Sequence, residues 1–255
     1  MAARNLRLVA RLDIKREHLV KGIQLEGLRK LGAPNDFARR YYEQGIDEII
    51  YMDIVASLYE RNSILPVIER AAENIFVPLT VGGGIRSLEN VRDALGVGAD
   101  KVAVNTAALR RPELISEIAE TYGSQCMVLS IEAKLRNGGG WEAYYDIGRE
   151  HSGRDVIEWA VEGEKRGAGE ILVTSVDKEG GKSGMDTDLI RAISETVSIP
   201  VMASGGIGTI EHIADVATNT KVDAIAMAHV LHYDAVALHD IREWAAGEQS
   251  LEVRP

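Results

Sequence analysis

Asp13 and Glu132 are carboxylates that each close a short apolar run, 119 residues apart. Two facing carboxylates can act as general acid and general base, because different surroundings let each keep its own protonation state at one pH. A lone acid at such a place is more often a helix cap; it is the pair that points to proton transfer. Two glycine runs accompany them, Val81-Gly82-Gly83-Gly84-Ile85 and Ser204-Gly205-Gly206-Ile207. Each leaves bare backbone N–H groups that can approach a phosphate, and the helix expected from Ser87 adds its positive end to the first. A tight turn would also use glycines, but two such loops at corresponding places favour anion binding. Asn105 and Thr106 fall beside the first loop, Ala228 and His229 beside the second. The expected ligand therefore carries a phosphate at each end. Gly83, Gly84, Asn105 and Thr106 would hold one end, and Gly205, Gly206 and His229 the other. Asp177 and Ser204 are candidate substrate-orienting residues, with turn chemistry as the alternative. Lys21 is a loop lysine that could swing over the site as a further contact, although an exposed loop lysine is usually only solvated.

These residues need strands to end together. β-rich runs at 6–14, 47–54, 77–81, 101–105, 126–132, 170–174, 200–204 and 224–228 alternate with helical segments, among them 36–44, 87–95, 112–122, 155–166 and 210–217. Alternation of this kind is the pattern of parallel βα units. Eight units filling 255 residues predict one (β/α)₈ barrel domain spanning 1–255, with its site at the C-terminal ends of the strands. An open doubly wound sheet would carry a dinucleotide loop after its first strand, which this sequence lacks. Corresponding residues recur at nearly one offset: Gly83 and Gly205 lie 122 apart, Asp100 and Asp223 lie 123 apart. Two four-unit halves, as if a half-barrel had been duplicated, explain the repeat. Segments 15–32 and 134–149 exceed ordinary connections and are expected to be long loops on the catalytic face.

The balance of the chain narrows the partners. A net charge of −10 argues against a nucleic-acid surface, so phosphate must be bound locally. The single cysteine, Cys126, can form no internal disulfide and sits in an apolar run that reads as buried. Residues 1–7 hold two arginines and no apolar run of signal-peptide length, and no stretch is long enough to span a membrane; the expected setting is cytoplasmic. The six histidines show no ligand spacing, so neither a metal nor another cofactor is expected.

Nearly the whole chain resembles the cyclase subunit of imidazole glycerol phosphate synthase, the HisF family. The resemblance rests on Leu12-Asp13-Ile14-Lys15, Val20-Lys21-Gly22, Thr80-Val81-Gly82-Gly83-Gly84-Ile85, Gly98-Ala99-Asp100-Lys101-Val102, Asn105-Thr106-Ala107-Ala108 and Ala203-Ser204-Gly205-Gly206. It implies a lyase that uses ammonia from a glutaminase subunit to cleave and cyclise a phosphoribulosyl-formimino ribonucleotide in histidine biosynthesis. It implies Asp13 as acid/base, Lys21 as the loop lysine, Asn105 and the glycine loops as phosphate contacts, and Asp177 and Ser204 as substrate contacts. It further implies an ammonia gate of Arg7, Glu48, Lys101 and Glu170 at the barrel bottom, with the glutaminase docked on that N-terminal face. Strand parity agrees: Arg7 shares a face with Asp13, and Lys101 with Asn105.

The chain departs from that family at Glu132, where an aspartate is usual, at Arg11 for cysteine, at Arg16-Glu17 for Asp-Gly and at His229 for serine. Together these suggest a changed reaction or substrate. Paralogues that resemble the family and are linked to amidination of a surface-glycan sugar give one alternative; a non-catalytic partner of a glutaminase gives another, disfavoured by the two surviving carboxylates. Because Arg11 lies two residues before Asp13, both should point inward. Its guanidinium is expected to meet Asp13 and Glu132 and to lower the pKa of Glu132, making it a poorer proton donor.

Overall fold

The computed structural model describes residues 4–24, 26–56, 64–248 and 251–253; part of the 1–7 stretch read above for a signal peptide lies outside them. Eight strands form the barrel: β1 (Arg7–Lys15), β2 (Glu48–Asp53), β3 (Leu79–Gly82), β4 (Lys101–Val104), β5 (Met127–Leu135), β6 (Glu170–Ser175), β7 (Val201–Ser204) and β8 (Ala224–Met227). Every neighbouring pair is parallel, and β8 returns to β1, so the sheet has no edge. Around it run α1 (Pro34–Glu43), α2 (Leu65–Ala72), α3 (Leu88–Gly96), α4 (Glu113–Tyr122), α5 (Val156–Lys165), α6 (Thr187–Thr196), α7 (Ile210–Asn219) and α8 (Leu238–Gly247). The fold is a (β/α)₈ TIM barrel. No helix among the described residues is long and apolar enough to cross a membrane.

Local chemistry starts these helices where the sequence places them. The Ser87 hydroxyl accepts the Asn90 N–H, Asp155 accepts those of Ile157 and Glu158, and Asp186 that of Leu189, each meeting a donor the first helical turn leaves unpaired. Strand alternation then sorts the core. Outward residues such as Leu8, Leu12, Tyr51, Leu129 and Ile171 pack beneath the helices, while Val9, Ile50, Ala103, Val128, Leu172, Met202, Ala224 and Ala226 form a separate apolar layer inside the barrel. Cys126 is buried in the outer core, and burial pushes its thiol pKa up.

The half-barrel repeat is physical. Asp100 accepts the Leu79 N–H and Asp223 the Val201 N–H, both at 2.8 Å, so each aspartate ties the start of an even strand to the strand before it. The two segments expected as loops are hairpins. After β1 come His18–Ile23 and Glu26–Gly32, paired antiparallel; after β5 come Trp141–Tyr145 and Glu150–Asp155. Both extend a nine-residue barrel strand past the rim. Their polar composition hid the alternation, because a two-stranded ribbon above the barrel has solvent on much of its surface.

At the N-terminal end of the barrel four charges close a ring. Arg7 pairs with Glu48 at 2.8 Å and with Glu170, and Lys101 pairs with Glu48 at 3.0 Å and Glu170 at 2.9 Å. Thr80 donates to Glu48 at 2.8 Å. Glu48 and Glu170 are buried, whereas Arg7 and Lys101 remain partly exposed. Breaking a fully buried pair costs about 3–5 kcal/mol; here the cations keep Glu170 and some water, so Glu48→Gln is expected to cost roughly 2–3 kcal/mol. Its Tm should fall by roughly 5–10 °C in calorimetry, against about 1 °C or less for Arg111→Ala, which removes an exposed pair with Glu117.

Candidate active site

The mouth of the barrel is organised from β1. Alternation continues upward from Val9 to Arg11 and Asp13, both buried. The Arg11 Nε donates to Asp13 Oδ1 at 2.9 Å, and its Nη1 donates to Thr174 Oγ1 at 2.7 Å and Ser204 Oγ at 3.3 Å. The guanidinium thus crosses the interior from β1 to β6 and β7. Lys21 comes down from the hairpin after β1, buried rather than swinging in solvent, with Nζ 3.8 Å from Asp13 Oδ2 and paired with Glu179. Burial alone would raise the Asp13 pKa, but the charges of Arg11 and Lys21 outweigh it and hold the carboxyl below its usual range. Charge closes locally: two cations, Arg11 and Lys21, face two buried carboxylates, Asp13 and Glu179.

Glu132 stands apart from this cluster. It accepts the Gly148 N–H at 2.6 Å, lies near the Asn105 amide, which donates to the Tyr144 carbonyl at 3.2 Å, and pairs across its strand with Tyr144. Burial pushes its pKa from 4.5 up to about 7; the nearby Asp146 adds to the rise, and Arg11 offsets only part of it. The expected Arg11–Glu132 pair is therefore not formed, and the direction of the Glu132 shift is opposite to that expected. The reason is reach: the two-residue spacing on one strand puts Asp13 directly above Arg11, so the guanidinium turns toward Asp13, Thr174 and Ser204.

Both glycine loops have a backbone that only glycine adopts without strain. Gly83 (φ +87°) and Gly84 (φ +76°) follow β3, and Gly205 (φ +99°) and Gly206 (φ +95°) follow β7, all in backbone regions that side chains avoid. A Cβ on Gly83 would collide with the Asp53 carbonyl at the end of β2; one on Gly205 would crowd the Ser175 carbonyl at the end of β6, the repeat-related place. The first loop opens on a cavity of about 270 Å³ that also touches Arg11, Asn105, Thr106, Arg110, Glu132 and Thr174. The second opens on about 20 Å³ beside Ser204, His229 and Glu179. His229 is pushed below its ordinary pKa by burial and then by Lys182 and Lys21, so at neutral pH it is an uncharged donor in a positive field. Among the described residues no three metal-type ligands gather.

Asp177 is not brought into the mouth. It is exposed, and its carboxylate accepts the Leu135 N–H at 2.8 Å, tying the loop after β6 to the end of β5. Residues 175–179 wind into a turn in which the Glu179 N–H reaches Ser175 O at 3.0 Å, and this carries Glu179 back over the rim. Glu179 is the acid that sequence reasoning missed. Its setting in Lys178-Glu179-Gly180-Gly181, directly after a strand on the catalytic face, was the available signal.

The molecule is thus a (β/α)₈ barrel with two repeat-related glycine loops, after β3 and β7, and two carboxylates, Asp13 and Glu132, at the C-terminal ends of its strands. The profile described as histidine biosynthesis protein matches residues 7–237. The imidazole glycerol phosphate synthase subunit HisF of Legionella pneumophila is 58% identical over 207 residues, covering 81% of this chain and 98% of that protein. The subunit of the same name from Streptococcus sanguinis strain SK36 is 44% identical over 248 residues, covering 97% and 98%. The chain belongs to the histidine biosynthesis protein family, among the HisF subunits of imidazole glycerol phosphate synthase.

The raised Glu132 pKa has a consequence for stability. A carboxyl raised on folding stabilises through its protonated form, an effect fully present below about pH 4.5 and lost as pH rises through about 7. Glu132→Gln removes the ionisation. Thermal melts should show the variant more stable than wild type at pH 8.5, by about 1 kcal/mol or about 2–4 °C, with the difference near zero at pH 5. A constant difference across that range would mean that Glu132 titrates normally.

Proposed function

We propose that this chain is the ammonia-using cyclase and lyase subunit of an imidazole glycerol phosphate synthase, one barrel domain over 1–255 acting in the cytoplasm. The observation that carries the reading is the placement of Asp13 and Glu132 between two anion loops in a barrel of this family. The substrate is a phosphoribulosyl-formimino ribonucleotide with a phosphate at each end. One phosphate lies on Gly83, Gly84, Asn105 and Thr106, the other on Gly205, Gly206 and His229, with Ser204 and Lys21 as further contacts. Ammonia adds to the ketose carbonyl and water leaves. The new nitrogen then closes the imidazole ring on the formimino carbon and expels the aminoimidazole carboxamide ribotide. Each stage takes a proton from a nitrogen and gives one to a departing atom, which is the work of an acid–base pair. Asp177, held on the Leu135 N–H, has no part in this reading.

The lower face would receive ammonia from a glutaminase subunit. The ring of Arg7, Glu48, Lys101 and Glu170 lies beneath an apolar layer, which admits neutral ammonia far more readily than ammonium. Phe76, in the loop that enters β3 on that face, is 76% exposed and supported edge-on by Tyr42, a fitting anchor for a partner. The amidination alternative rests on Arg11, Arg16-Glu17, Glu132 and His229; the two HisF relatives favour the imidazole chemistry.

Two measurements test these claims. With an ammonium salt, the purified chain should convert the formimino substrate to both products, followed by chromatography, and Asp13→Asn should lower kcat by about 10²–10⁴-fold. No turnover by folded wild type would remove the imidazole reading in favour of another ammonia acceptor. Light scattering with a glutaminase subunit of an imidazole glycerol phosphate synthase should show a one-to-one complex. Phe76→Asp should weaken it by about 30-fold or more, the effect of losing a central anchor of roughly 2 kcal/mol.

A further inference from the structure

We propose that Arg11 is a positioning residue that divides the acid–base work of the mouth: by clamping Asp13 it fixes that carboxylate as the first proton acceptor and leaves Glu132, which no cation clamps, as the first proton donor. The proposal rests on the cyclase reading above and assigns the order of its proton transfers.

The geometry is that of a clamp. Arg11 is buried and reaches three strands at once, with Asp13 on its own strand, Thr174 on β6 and Ser204 on β7. A planar guanidinium held at two nitrogens cannot rotate away from Asp13 without abandoning the two hydroxyls. The groups facing Asp13 from elsewhere are Lys21 on the hairpin after β1, Glu179 through Lys21, and His232 in the turn after β8. His232 is uncharged, driven down to about 3 by burial and then by Lys21, with its ring stacked on Tyr41 and its Nδ1 on the Tyr41 hydroxyl at 2.7 Å. Asp13 thus meets two cations and no free proton source. Across the mouth, Glu132 faces the Gly148 N–H, the Asn105 amide, Tyr144 and Asp146, and Arg11 only at longer range. Its burial keeps a proton available near neutral pH. The acid and base therefore differ because Arg11, together with Lys21, is committed to one side.

The proton balance follows. Asp13 takes the first proton that the attacking ammonia nitrogen sheds, and Glu132 gives its proton to the carbonyl oxygen, which becomes a hydroxyl. Asp13 then returns its proton to that hydroxyl, which departs as water, while Glu132 takes the second proton from the nitrogen, so the pair is restored. In ring closure two protons again leave the ring, one from nitrogen and one from the adjacent methylene carbon, and two reach the formimino nitrogen, which departs as the amine. The same two exchanges carry them, and the pair ends as it began.

The test separates this assignment from the cyclase reading, because its first arm needs no substrate. Carboxyl carbons of aspartate and glutamate are labelled with ¹³C, and Asp13 and Glu132 are assigned through Asp13→Asn and Glu132→Gln. In wild type Glu132 should titrate near pH 7 and Asp13 below the ordinary carboxylate range. Arg11→Gln, neutral but able to keep a hydrogen bond, should raise the Asp13 midpoint by about one unit or more, and Arg11→Lys should largely restore it. If Arg11→Gln fails to fold, Arg11→Met paired with Glu179→Gln removes one charge of each sign and serves the same comparison. An Asp13 midpoint unmoved by loss of the guanidinium, or Glu132 titrating with ordinary glutamates in wild type, overturns the proposal. The second arm compares pH–rate profiles at fixed free ammonia. Arg11→Gln should lower kcat by about 10²-fold or more with KM nearly unchanged, and should carry the rising limb to higher pH. A lower rate with both limbs in place would mark Arg11 as merely structural. Absence of turnover in wild type, with the carboxyl titrations as expected, would defeat the cyclase reading alone.

Discussion

Closing eight strands into a barrel forces alternate side chains of every strand into a shared interior with no route to bulk water except at the two ends. A charge placed there must find its counter-charge inside, since an unpaired buried ion is costly by several kcal/mol. The layers obey this constraint in turn. The lowest holds two cations against two carboxylates; the next is wholly apolar; the mouth again holds two cations, Arg11 and Lys21, against Asp13 and Glu179. Glu132 is the acid left over, and its raised pKa is the residue of that balance.

The same constraint explains how a duplicated scaffold becomes an asymmetric site. The halves agree where the backbone decides: the glycine loops, the aspartates that tie strand starts together, and the nine-residue strands that run on into hairpins. They differ where a side chain enters the interior. β1 supplies Arg11 beneath its carboxylate, whereas β5 supplies Ser130 beneath Glu132. Two cations on one side, Arg11 and Lys21, are what give two repeat-related carboxylates opposite shifts.

Asymmetry also extends to the two glycine loops. The first faces a cavity large enough for part of a ligand, while the second is covered by the turn at 175–179, whose Glu179 carboxylate lies against Gly205. The carboxylate there is held by Lys21, the residue that also approaches Asp13. The second loop and Asp13 are therefore joined through one lysine.

Much of this was legible in the chain alone. Strand positions, the helix starts at Ser87 and Asp155, the half-barrel offset and the inward parity of Arg7, Arg11 and Asp13 all follow from periodicities and turn chemistry that act within a few residues. The charge ring was foreseeable because four inward residues of balanced sign start their strands. What the tertiary structure decided lies where loops fold back over the rim. Whether Asp177 or Glu179 reaches the mouth depends on one turn of backbone. Whether Lys21 is solvated or buried depends on a hairpin whose polar composition concealed its strands. The partner of Arg11 could not be read from spacing, because Asp13 and Glu132 were both within conceivable reach and only the positions of Thr174 and Ser204, some 160 to 190 residues away in sequence, fix the direction of the guanidinium. Local periodicity determines which way a side chain leaves its strand; the packing of distant strands determines what it meets.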